Sequence, residues 1–240
     1  MRIRHLRLLE GARRAEGLAV VIDVFRAFST ACCLAARGVA RLVVVERTEE
    51  AFALGREHPD WRLAGERGGR KLPGFDHANS PSEILEADVE GATVVFTTSA
   101  GTRGLLLAAG RAEEVVTASF RNAGAVIKHV RRRCPAVVSI VSLGAAGAEE
   151  TVEDNLCGDY LAAAFAGVPA DFGAFDRTIR ASASAARFGD PALPWFPAVD
   201  RERCLELDRH DFVLRLETGP DGLRELVRVE AGAGLSGDRE

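Results

Sequence analysis

The feature that most constrains the fold is a regular alternation of short apolar runs with longer, Ala-rich segments. The first run, residues 18–22, is apolar, rich in β-branched residues and followed by an aspartate, which is typical of a buried strand. A helical pattern over 27–37 and a second apolar run over 40–46 come next. This β-α-β order predicts that the two strands form a parallel pair.

The same alternation continues along the chain and predicts the fold class. Further strands are predicted over 92–96, 114–119 and 136–143, with helices before and after them up to residue 166. Near the C-terminus, runs over 212–217 and 225–229 flank Gly219-Pro220-Asp221-Gly222, which is typical of a β-hairpin. We therefore predict a three-layer α/β fold, with a largely parallel or mixed open sheet, flanking helices and a C-terminal hairpin. Residues 1–240 are predicted to form one domain, and two lobes of about 1–90 and 91–240 are the alternative.

Composition excludes several classes of protein. With 47% apolar and 28% charged residues, the 240-residue chain can bury a core, which excludes intrinsic disorder and collagen-like repeats. The formal charge is −4 and the basic run 131–133 belongs to no wider patch, so we expect no nucleic-acid partner. No apolar run reaches the roughly 18 residues of a membrane span, and residues 1–7 lead into no apolar signal-peptide core. We therefore expect a cytoplasmic protein without a membrane partner, whose five Cys, which lack zinc-binding spacing, are buried thiols.

Candidate functional residues follow the predicted strands, at the edge where open α/β sheets bind their ligands. Asp23 and Arg26 come directly after the first strand. A carboxylate at this position can bind a metal, act as a base or serve as a nucleophile, and an arginine can bind an anion through two N–H groups. The structural alternative is an Asp–Arg ion pair or a helix cap.

The irregular stretch 65–81 is predicted to be an ordered functional loop, because it is long, Gly-rich and not repetitive. Glu66 offers oxygen ligands suitable for Mg²⁺. Arg67 adds a cation, and the backbone N–H groups of Gly68 and Gly69 can approach an anion. The other polar candidates in the loop are Asp76, Asn79 and Ser80. The alternatives are a solvated turn for the first part and a helix N-cap for the last.

Two predicted helix starts complete the candidate site. The first lies in the hydroxyl-rich segment 97–102, where side-chain hydroxyls and helix N–H groups resemble a phosphate site. Its candidate residues are Thr97, Thr98, Gly101 and Thr102. The second carries Glu153 and Asp154, although the helix dipole favours acids at a helix start in any case. Simple N-capping is the alternative for the hydroxyls.

Carboxylates combined with anion-binding donors are what a divalent-metal site for phosphoryl chemistry needs. A phosphatase of the haloacid-dehalogenase type would need Asp-x-Asp after the first strand. Here Asp23 is followed by Val24 and Phe25, so that mechanism is not supported.

The sequence resembles the 2-phosphosulfolactate phosphatase family in several motifs that occur in the same order. These motifs are residues 21–27, 65–69, 74–81 and 97–102, and the acidic pair 153–154 followed by Cys157-Gly158. The resemblance covers about residues 18–160 and continues more weakly to about 215. One departure is Ala100, where the family usually carries Asn before Gly-Thr, and it concerns the substrate more than the reaction type.

The resemblance implies a Mg²⁺-dependent phosphatase that hydrolyses (R)-2-phospho-3-sulfolactate, a small anionic organophosphate, to 3-sulfolactate and phosphate, as in coenzyme M biosynthesis. We expect Mg²⁺ to be held by some of Asp23, Glu66, Asp76, Glu153 and Asp154, and which of them bind it stays open. The implied catalytic residues are Asp23, Arg26, Glu66 and Arg67, of which the two arginines bind the anionic groups. The implied substrate-binding residues are Gly68, Gly69, Asn79, Ser80, Thr97, Thr98, Gly101 and Thr102. Direct attack by water and an aspartyl-phosphate at Asp23 both stay open.

Two other functions stay open as well. One is a phosphatase of the same fold that acts on another small organophosphate, and the other is a non-catalytic anion-binding module. A homo-oligomer is also open, because the apolar run 193–197 fits either a subunit contact or the core, and the core is favoured.

Overall fold

The computed structural model describes residues 1–231. Its strands are β1 (Arg2–Arg7), β2 (Leu18–Ile22), β3 (Arg41–Val44), β4 (Arg62–Arg67), β5 (Arg70–Lys71), β6 (Thr93–Thr97), β7 (Glu114–Ala118), β8 (Val137–Ser142), β9 (Phe212–Thr218) and β10 (Arg224–Glu230). Its α-helices are α1 (Leu8–Ala12), α2 (Ala27–Ala36), α3 (Thr48–Glu57), α4 (Pro81–Glu86), α5 (Gly101–Ala108), α6 (Ala123–Arg133), α7 (Val152–Phe165), α8 (Phe172–Arg180), α9 (Ala183–Ala186) and α10 (Ala198–Cys204). The predicted mixed α/β class with a C-terminal hairpin is confirmed.

The sheet contains two parallel sets of strands separated by the hairpin. The strand order is β1-β8-β2-β7-β9-β10-β3-β6-β4-β5. Within the first set, β1, β8, β2 and β7 are parallel, and within the second set β3, β6 and β4 are parallel. The hairpin β9–β10 pairs antiparallel to β7 on one side and to β3 on the other. Strands from before and after residue 90 are interleaved in this sheet.

The prediction that the first two apolar runs form a parallel pair was wrong. The strands β2 and β3 are not neighbours, because β7, β9 and β10 lie between them. Along the ladder they also run in opposite directions, since three antiparallel contacts separate them. The local pattern identified both strands, but segments distant in sequence decide their partners, since β2 pairs with β7 and β8 and β3 pairs with β6 and β10.

The twist of the sheet explains how both parallel sets can serve one site. Five strand-to-strand steps separate β2 from β6. At roughly 20–25° per step these neighbours rotate by roughly 100–125° in total. Because β6 runs opposite to β2 along the ladder, a rotation of this size reduces the angle between the directions of the two strands. The turns that follow both strands accordingly line the same cavity.

Three groups of buried side chains fill the layers. On one face, α2 and α5 pack against both parallel sets and the hairpin, with Val21, Phe96 and Leu214 among the residues in contact. On the opposite face, α6 and α7 cover the first set, and α3 covers the second. Successive residues of β2 alternate between the two faces, as Val20 and Val21 show. All five residues of β2 are therefore buried, which explains its continuous apolar sequence.

The stretch 65–81 is more regular than its sequence predicts. Its first three residues complete β4, which the sequence analysis missed, and residues 70–71 form the short strand β5. Its last residue, Pro81, begins α4. The remaining residues form the turns that connect these elements.

Candidate active site

A cavity of about 240 Å³ opens where β2, β4, β6 and β8 end. Of the residues singled out in the sequence, those that line it are Asp23, Arg26, Glu66, Gly68, Gly69, Asn79, Glu153 and Asp154. Those that lie outside its lining are Arg67, Asp76, Ser80, Thr97, Thr98, Gly101 and Thr102. The segment after α9 closes one side with Arg187, Phe188 and Phe196.

The cavity brings together four buried carboxylates, which we call the pocket carboxylates: Asp23, Glu66, Glu153 and Asp154. Within residues 1–231, none of them forms an ion pair with a basic side chain. Their negative charges are therefore balanced only by hydrogen bonds and by more distant cations. Such an arrangement is costly unless protons or a bound cation compensate the charge.

Asp23 lies at the centre of this group. Its Oδ1 accepts a hydrogen bond of 3.1 Å from the backbone N–H of Ala27, so it binds the N–H that opens α2. Burial raises the pKa of Asp23 from 3.8 to about 7, and the charges of Glu66 and Glu153 add to the rise. The hydrogen bond from Ala27 and the charge of Arg26 oppose it. Asp23 is thus a carboxyl group that gains and loses its proton near neutral pH.

Glu66 is bound on both oxygens by the protein. Its Oε1 accepts from the backbone N–H of Ser99 at 2.7 Å, and its Oε2 accepts from the backbone N–H of Gly69 at 2.6 Å and from the Ser99 hydroxyl at 3.0 Å. These bonds connect the end of β4 to the turn after β6. They also occupy the backbone N–H of Gly69, so this group is not available to bind an anion as the sequence predicted.

Asp154 and Glu153 accept hydrogen bonds from other segments that border the cavity. Asp154 accepts from the backbone N–H groups of Val24 and Gly144, both at 2.8 Å, and so connects the turns after β2 and β8. Burial raises the pKa of Asp154 well above its usual value, and the charges of Asp23 and Glu153 add to this. Burial likewise raises the pKa of Glu153, which accepts a hydrogen bond from the hydroxyl of Ser184.

Arg26 faces the cavity, but protein groups bind its guanidinium. Its Nη1 donates to the carboxylate of Asp200 at 2.7 Å and to the carbonyl oxygen of Trp195 at 2.9 Å. Its Nη2 donates to the carbonyl oxygen of Gly69 at 2.8 Å, and its guanidinium carbon lies 4.7 Å from the centre of the Phe196 ring. This arrangement fits the structural alternative, an ion pair, although the partner is Asp200 and not Asp23.

Arg67 and Thr97 belong to a neighbouring contact. The Arg67 guanidinium donates to the carbonyl oxygens of Glu66 at 2.7 Å and Glu46 at 3.1 Å, and to the Thr97 hydroxyl at 2.9 Å. Arg67 lines a separate groove with Thr98 and Arg103. The structure therefore gives Arg67 a role in holding β4, β6 and the end of β3 together.

The hydroxyls of segment 97–102 also have protein partners. The Thr98 hydroxyl accepts from the N–H of Thr102 at 3.1 Å, and the Thr102 hydroxyl accepts from the N–H of Thr98 at 3.0 Å. The Ser99 hydroxyl accepts from the N–H of Gly68 at 3.1 Å. Gly101 is buried against α2, where a Cβ would lie 2.5 Å from Cβ of Ala27. The N-capping alternative thus fits the Thr98 hydroxyl, which binds an N–H in the first turn of α5, whereas the Ser99 and Thr102 hydroxyls bind N–H groups outside that turn.

The three remaining candidates of the 65–81 stretch separate in space. Asp76 is exposed, and its carboxylate accepts from the N–H of Leu63 at 2.8 Å, so the structure places it away from the pocket carboxylates. Ser80 is the N-cap of α4 and donates to Asp200 at 2.9 Å. Asn79 lines the cavity, and its buried Oδ1 has no partner within residues 1–231.

Two contributions to the site carried no recognisable motif in the sequence. Asp200 holds Arg26 and accepts hydrogen bonds from Ser80 and Ser82, which joins α10 to α4. Arg187 reaches the cavity and stacks on Phe196. The one local signal was the group of aromatic residues at 188–196 in a chain that is only 6% aromatic.

The donor set fits a hard divalent cation, although its ligands are not assembled in advance. Carboxylate oxygens are the ligands Mg²⁺ prefers, and one oxygen of Asp23 accepts no hydrogen bond from the described chain. One buried oxygen without a partner in the described chain, Oδ1 of Asn79, belongs to a residue that lines the same cavity. Across residues 1–231, however, no three acidic, His or Cys side chains lie close enough to form a complete metal cluster.

The fold and the cavity define an α/β protein with an acidic pocket at the carboxyl ends of its strands. A family model for 2-phosphosulpholactate phosphatase matches residues 5–214, and the chain belongs to this family. This match extends beyond residues 18–160, the segment whose motifs resemble the family. Among residues 1–231 no helix is long and apolar enough to cross a membrane.

Individual relatives carry a name from the same family. The chain is 30% identical over 202 residues to a probable 2-phosphosulfolactate phosphatase of Bacillus subtilis, and the match covers 82% of this chain and 86% of the relative. It is 44% identical over 130 residues to a protein of the same name from Deinococcus radiodurans, over 54% of each chain. A Symbiobacterium thermophilum protein with that name is 41% identical over 147 residues, which is 60% of this chain and 61% of the relative. The chain thus spans a little over half the length of the last two relatives.

Proposed function

We propose that this protein is a Mg²⁺-dependent phosphatase that hydrolyses (R)-2-phospho-3-sulfolactate to 3-sulfolactate and phosphate, a reaction of coenzyme M biosynthesis. Membership of the family and the names of the relatives support the substrate. The observation that carries the chemistry is the convergence of Asp23, Glu66, Glu153 and Asp154 in one cavity.

The pocket carboxylates are the residues that would hold Mg²⁺, and Asp76 is not among them because its carboxylate is bound to the backbone outside the cavity. When bound, the ion would neutralise phosphate oxygens and the charge of these carboxylates. Asn79 offers a further oxygen, since its buried Oδ1 has no other partner in the described chain.

Asp23 is the residue best suited to act on the reacting atoms. Its carboxylate lines the cavity and can accept the proton of a water that attacks phosphorus, while the ester P–O bond breaks and the departing alkoxide takes up a proton from solvent. The same carboxylate could instead attack phosphorus directly and form an aspartyl-phosphate that water then hydrolyses. Rapid chemical quenching distinguishes these routes, because only the second gives a phosphoryl group bound to Asp23.

Release of phosphate from 2-phospho-3-sulfolactate is the direct test. We expect turnover with Mg²⁺, loss of turnover with a chelator, and recovery when Mg²⁺ is added again. An Arg56→Met variant is a suitable control, because Arg56 is exposed at the end of α3 and does not line the cavity. Turnover that is unaffected by the chelator would contradict the metal requirement.

A second candidate is a phosphatase of this family with another small organophosphate as its substrate. Ala100 supports it, because its methyl group lines the cavity at a position where the family usually carries Asn. A panel of phosphate esters would separate the two candidates by their kcat/KM values. If no ester releases phosphate, the protein is a non-catalytic anion-binding module instead.

A further inference from the structure

We infer that Arg187 is a substrate-binding residue that holds the anionic part of the substrate that is not hydrolysed. This inference rests on the proposed function, because it concerns the same cavity and a substrate with more than one anionic group. It replaces the roles that the sequence suggested for Arg26 and Arg67.

The cavity offers few cations to an anionic substrate. The substrate carries a phosphate, a sulfonate and a carboxylate, and it must enter a cavity lined by four carboxylates. Anionic groups in such a place need charged donors of their own. Among the residues described as lining the cavity, only Arg26 and Arg187 are basic.

Protein groups already bind the guanidinium of Arg26. Three of its N–H groups are bound, by Asp200, by the carbonyl of Trp195 and by the carbonyl of Gly69. Only 2% of its side chain is exposed. Breaking the pair to bind a substrate would leave the buried Asp200 carboxylate without its partner, which is costly.

Arg187 differs from Arg26 in the contacts of its guanidinium. Its guanidinium forms no hydrogen bond or ion pair within residues 1–231, and its side chain is exposed. Its carbon atom lies 4.1 Å from the centre of the Phe196 ring. Stacking on an aromatic face fixes the plane of a guanidinium and leaves the N–H groups at its edge available for an anion.

The ring that supports Arg187 is itself held in place. Phe196 contacts Arg26 on its ring and packs edge-on against Phe188, with ring centres 5.4 Å apart. Gly69 has a φ of 85°, and a Cβ there would lie 2.3 Å from the Phe196 ring, so only glycine allows this approach. The buried pair of Arg26 and Asp200 thus fixes the ring on which the available cation stacks.

Arg187 is also close to the pocket carboxylates. Ser184, which lies three residues before Arg187, donates a hydrogen bond to Glu153, and all three residues line the cavity. An anion bound by Arg187 would therefore lie beside the carboxylates and not at a distant surface. This position suits a substrate whose phosphate faces the carboxylates while a second anionic group reaches outward.

The experiment compares two esters of matched shape. In 2-phospho-3-sulfolactate the phosphorylated carbon is flanked by a carboxylate and a sulfonate-bearing carbon, whereas in glycerol 2-phosphate two neutral hydroxymethyl groups flank it. We expect Arg187→Met to lower kcat/KM for the first ester by about 10- to 100-fold, mainly through KM. For glycerol 2-phosphate we expect a change of less than about twofold, because no second anion is lost.

Arg187→Lys and Arg56→Met are the companion variants. Lysine keeps the charge but loses the planar fork and the stack on Phe196, so an intermediate loss is expected. The Arg56→Met variant should match the unchanged protein on both esters, since Arg56 is an exposed arginine away from the cavity. Equal losses on both esters with Arg187→Met, or no loss on 2-phospho-3-sulfolactate, would overturn the role of Arg187.

A binding measurement separates failure of this inference from failure of the proposed function. If the unchanged protein hydrolyses neither ester, the proposed function fails, and calorimetry with 3-sulfolactate then tests Arg187 alone. Binding that weakens at least tenfold in the Arg187→Met variant would support the inference. Equal binding by both proteins, or no binding by the unchanged protein, would reject it.

Discussion

The guanidinium of Arg26 donates a 2.7 Å hydrogen bond to the carboxylate of Asp200 in the interior of the protein, where 2% and 0% of the two side chains are exposed. Asp200 also accepts from the hydroxyls of Ser80 and Ser82, so one carboxylate joins the turn after β2, α4 and α10. The pair carries no reacting atom in our proposal. It holds the walls of the cavity together.

Replacing Asp200 by Ala should therefore destabilise the protein strongly. The substitution leaves the buried Arg26 charge without its partner, and breaking such a pair typically costs about 3–5 kcal/mol. Urea unfolding monitored by circular dichroism measures the change in the free energy of unfolding. The matched control is Asp60→Ala, since Asp60 is exposed and a substitution of this kind changes stability by about 0.5 kcal/mol or less. Similar stabilities for the two variants would contradict the role of the pair.

Replacing Asp23 by Asn should abolish most activity without unfolding the protein. An amide oxygen can still accept the hydrogen bond from Ala27, but the group can no longer accept a proton or attack phosphorus. We expect kcat to fall by about 10²- to 10⁴-fold, measured as release of phosphate. The unfolding midpoint at pH 8 should not decrease, because a buried charge has been removed. A variant that retains most of its kcat would exclude both proposed roles of Asp23.

The contribution of Asp23 to the stability of the metal-free protein should decrease as the pH rises from about 4 to about 7, whereas that of His210, whose burial lowers its pKa to about 4, should increase. The pKa of Asp23 is raised from 3.8 to about 7, so in this window the folded state keeps a proton that the unfolded state releases. The stabilisation from this proton is fully present below pH 3.8, which is the pKa of the group in the unfolded state, and it is lost as the pH rises to about 7. The slope for one such group reaches about 1.4 kcal/mol per pH unit.

The pKa values of Glu153 and Asp154 are raised as well, so their contributions have the same sign. Urea unfolding at several pH values, in the presence of a chelator, measures the total. The difference between the unchanged protein and the Asp23→Asn variant isolates the share of Asp23. Identical slopes for the two proteins would show that Asp23 does not titrate in this range.

Replacing Gly101 by Ala should disturb the site through packing alone. The added Cβ would lie 2.5 Å from Cβ of Ala27 and 3.0 Å from Oδ2 of Asp23, closer than side chains normally approach. We expect a loss of about 1–3 kcal/mol in the free energy of unfolding. Because the methyl group also presses on Asp23, kcat should fall. The control is Gly173→Ala in α8, where the nearest atom is a flexible carboxylate oxygen of Asp171 at 3.2 Å. Full activity in the Gly101→Ala variant would contradict the close approach.

Much of the fold could be predicted from local sequence patterns. The continuous apolar run of β2 and the apolar and small residues of α2 identified both elements, because each is buried on nearly all sides and so carries few charged residues. The strands β1 and β4 were missed. Both carry charged residues along an otherwise mixed sequence, so neither shows the apolar run that identified the other strands.

The candidate site could be predicted only in part. Asp23 after β2 and Glu66 near the end of β4 reach the same cavity, although the parallel sets to which these strands belong run in opposite directions along the sheet. The roles suggested for Arg26 and Arg67 have no such support, since each guanidinium bonds to protein groups. A sequence shows that an arginine follows a strand, but it does not show which acceptors will lie within reach.

The sequence by itself determined the buried apolar strands, the α/β class and the positions of the acidic residues near strand ends, because these depend on neighbouring residues. Only the tertiary structure decided which groups satisfy one another. Asp200 lies 174 residues after Arg26 and nevertheless neutralises it, while Arg187 reaches the cavity without an ion-pair partner in the described chain. Hydrogen bonds and ion pairs act over a few ångströms, so their partners are fixed only when packing brings distant segments together.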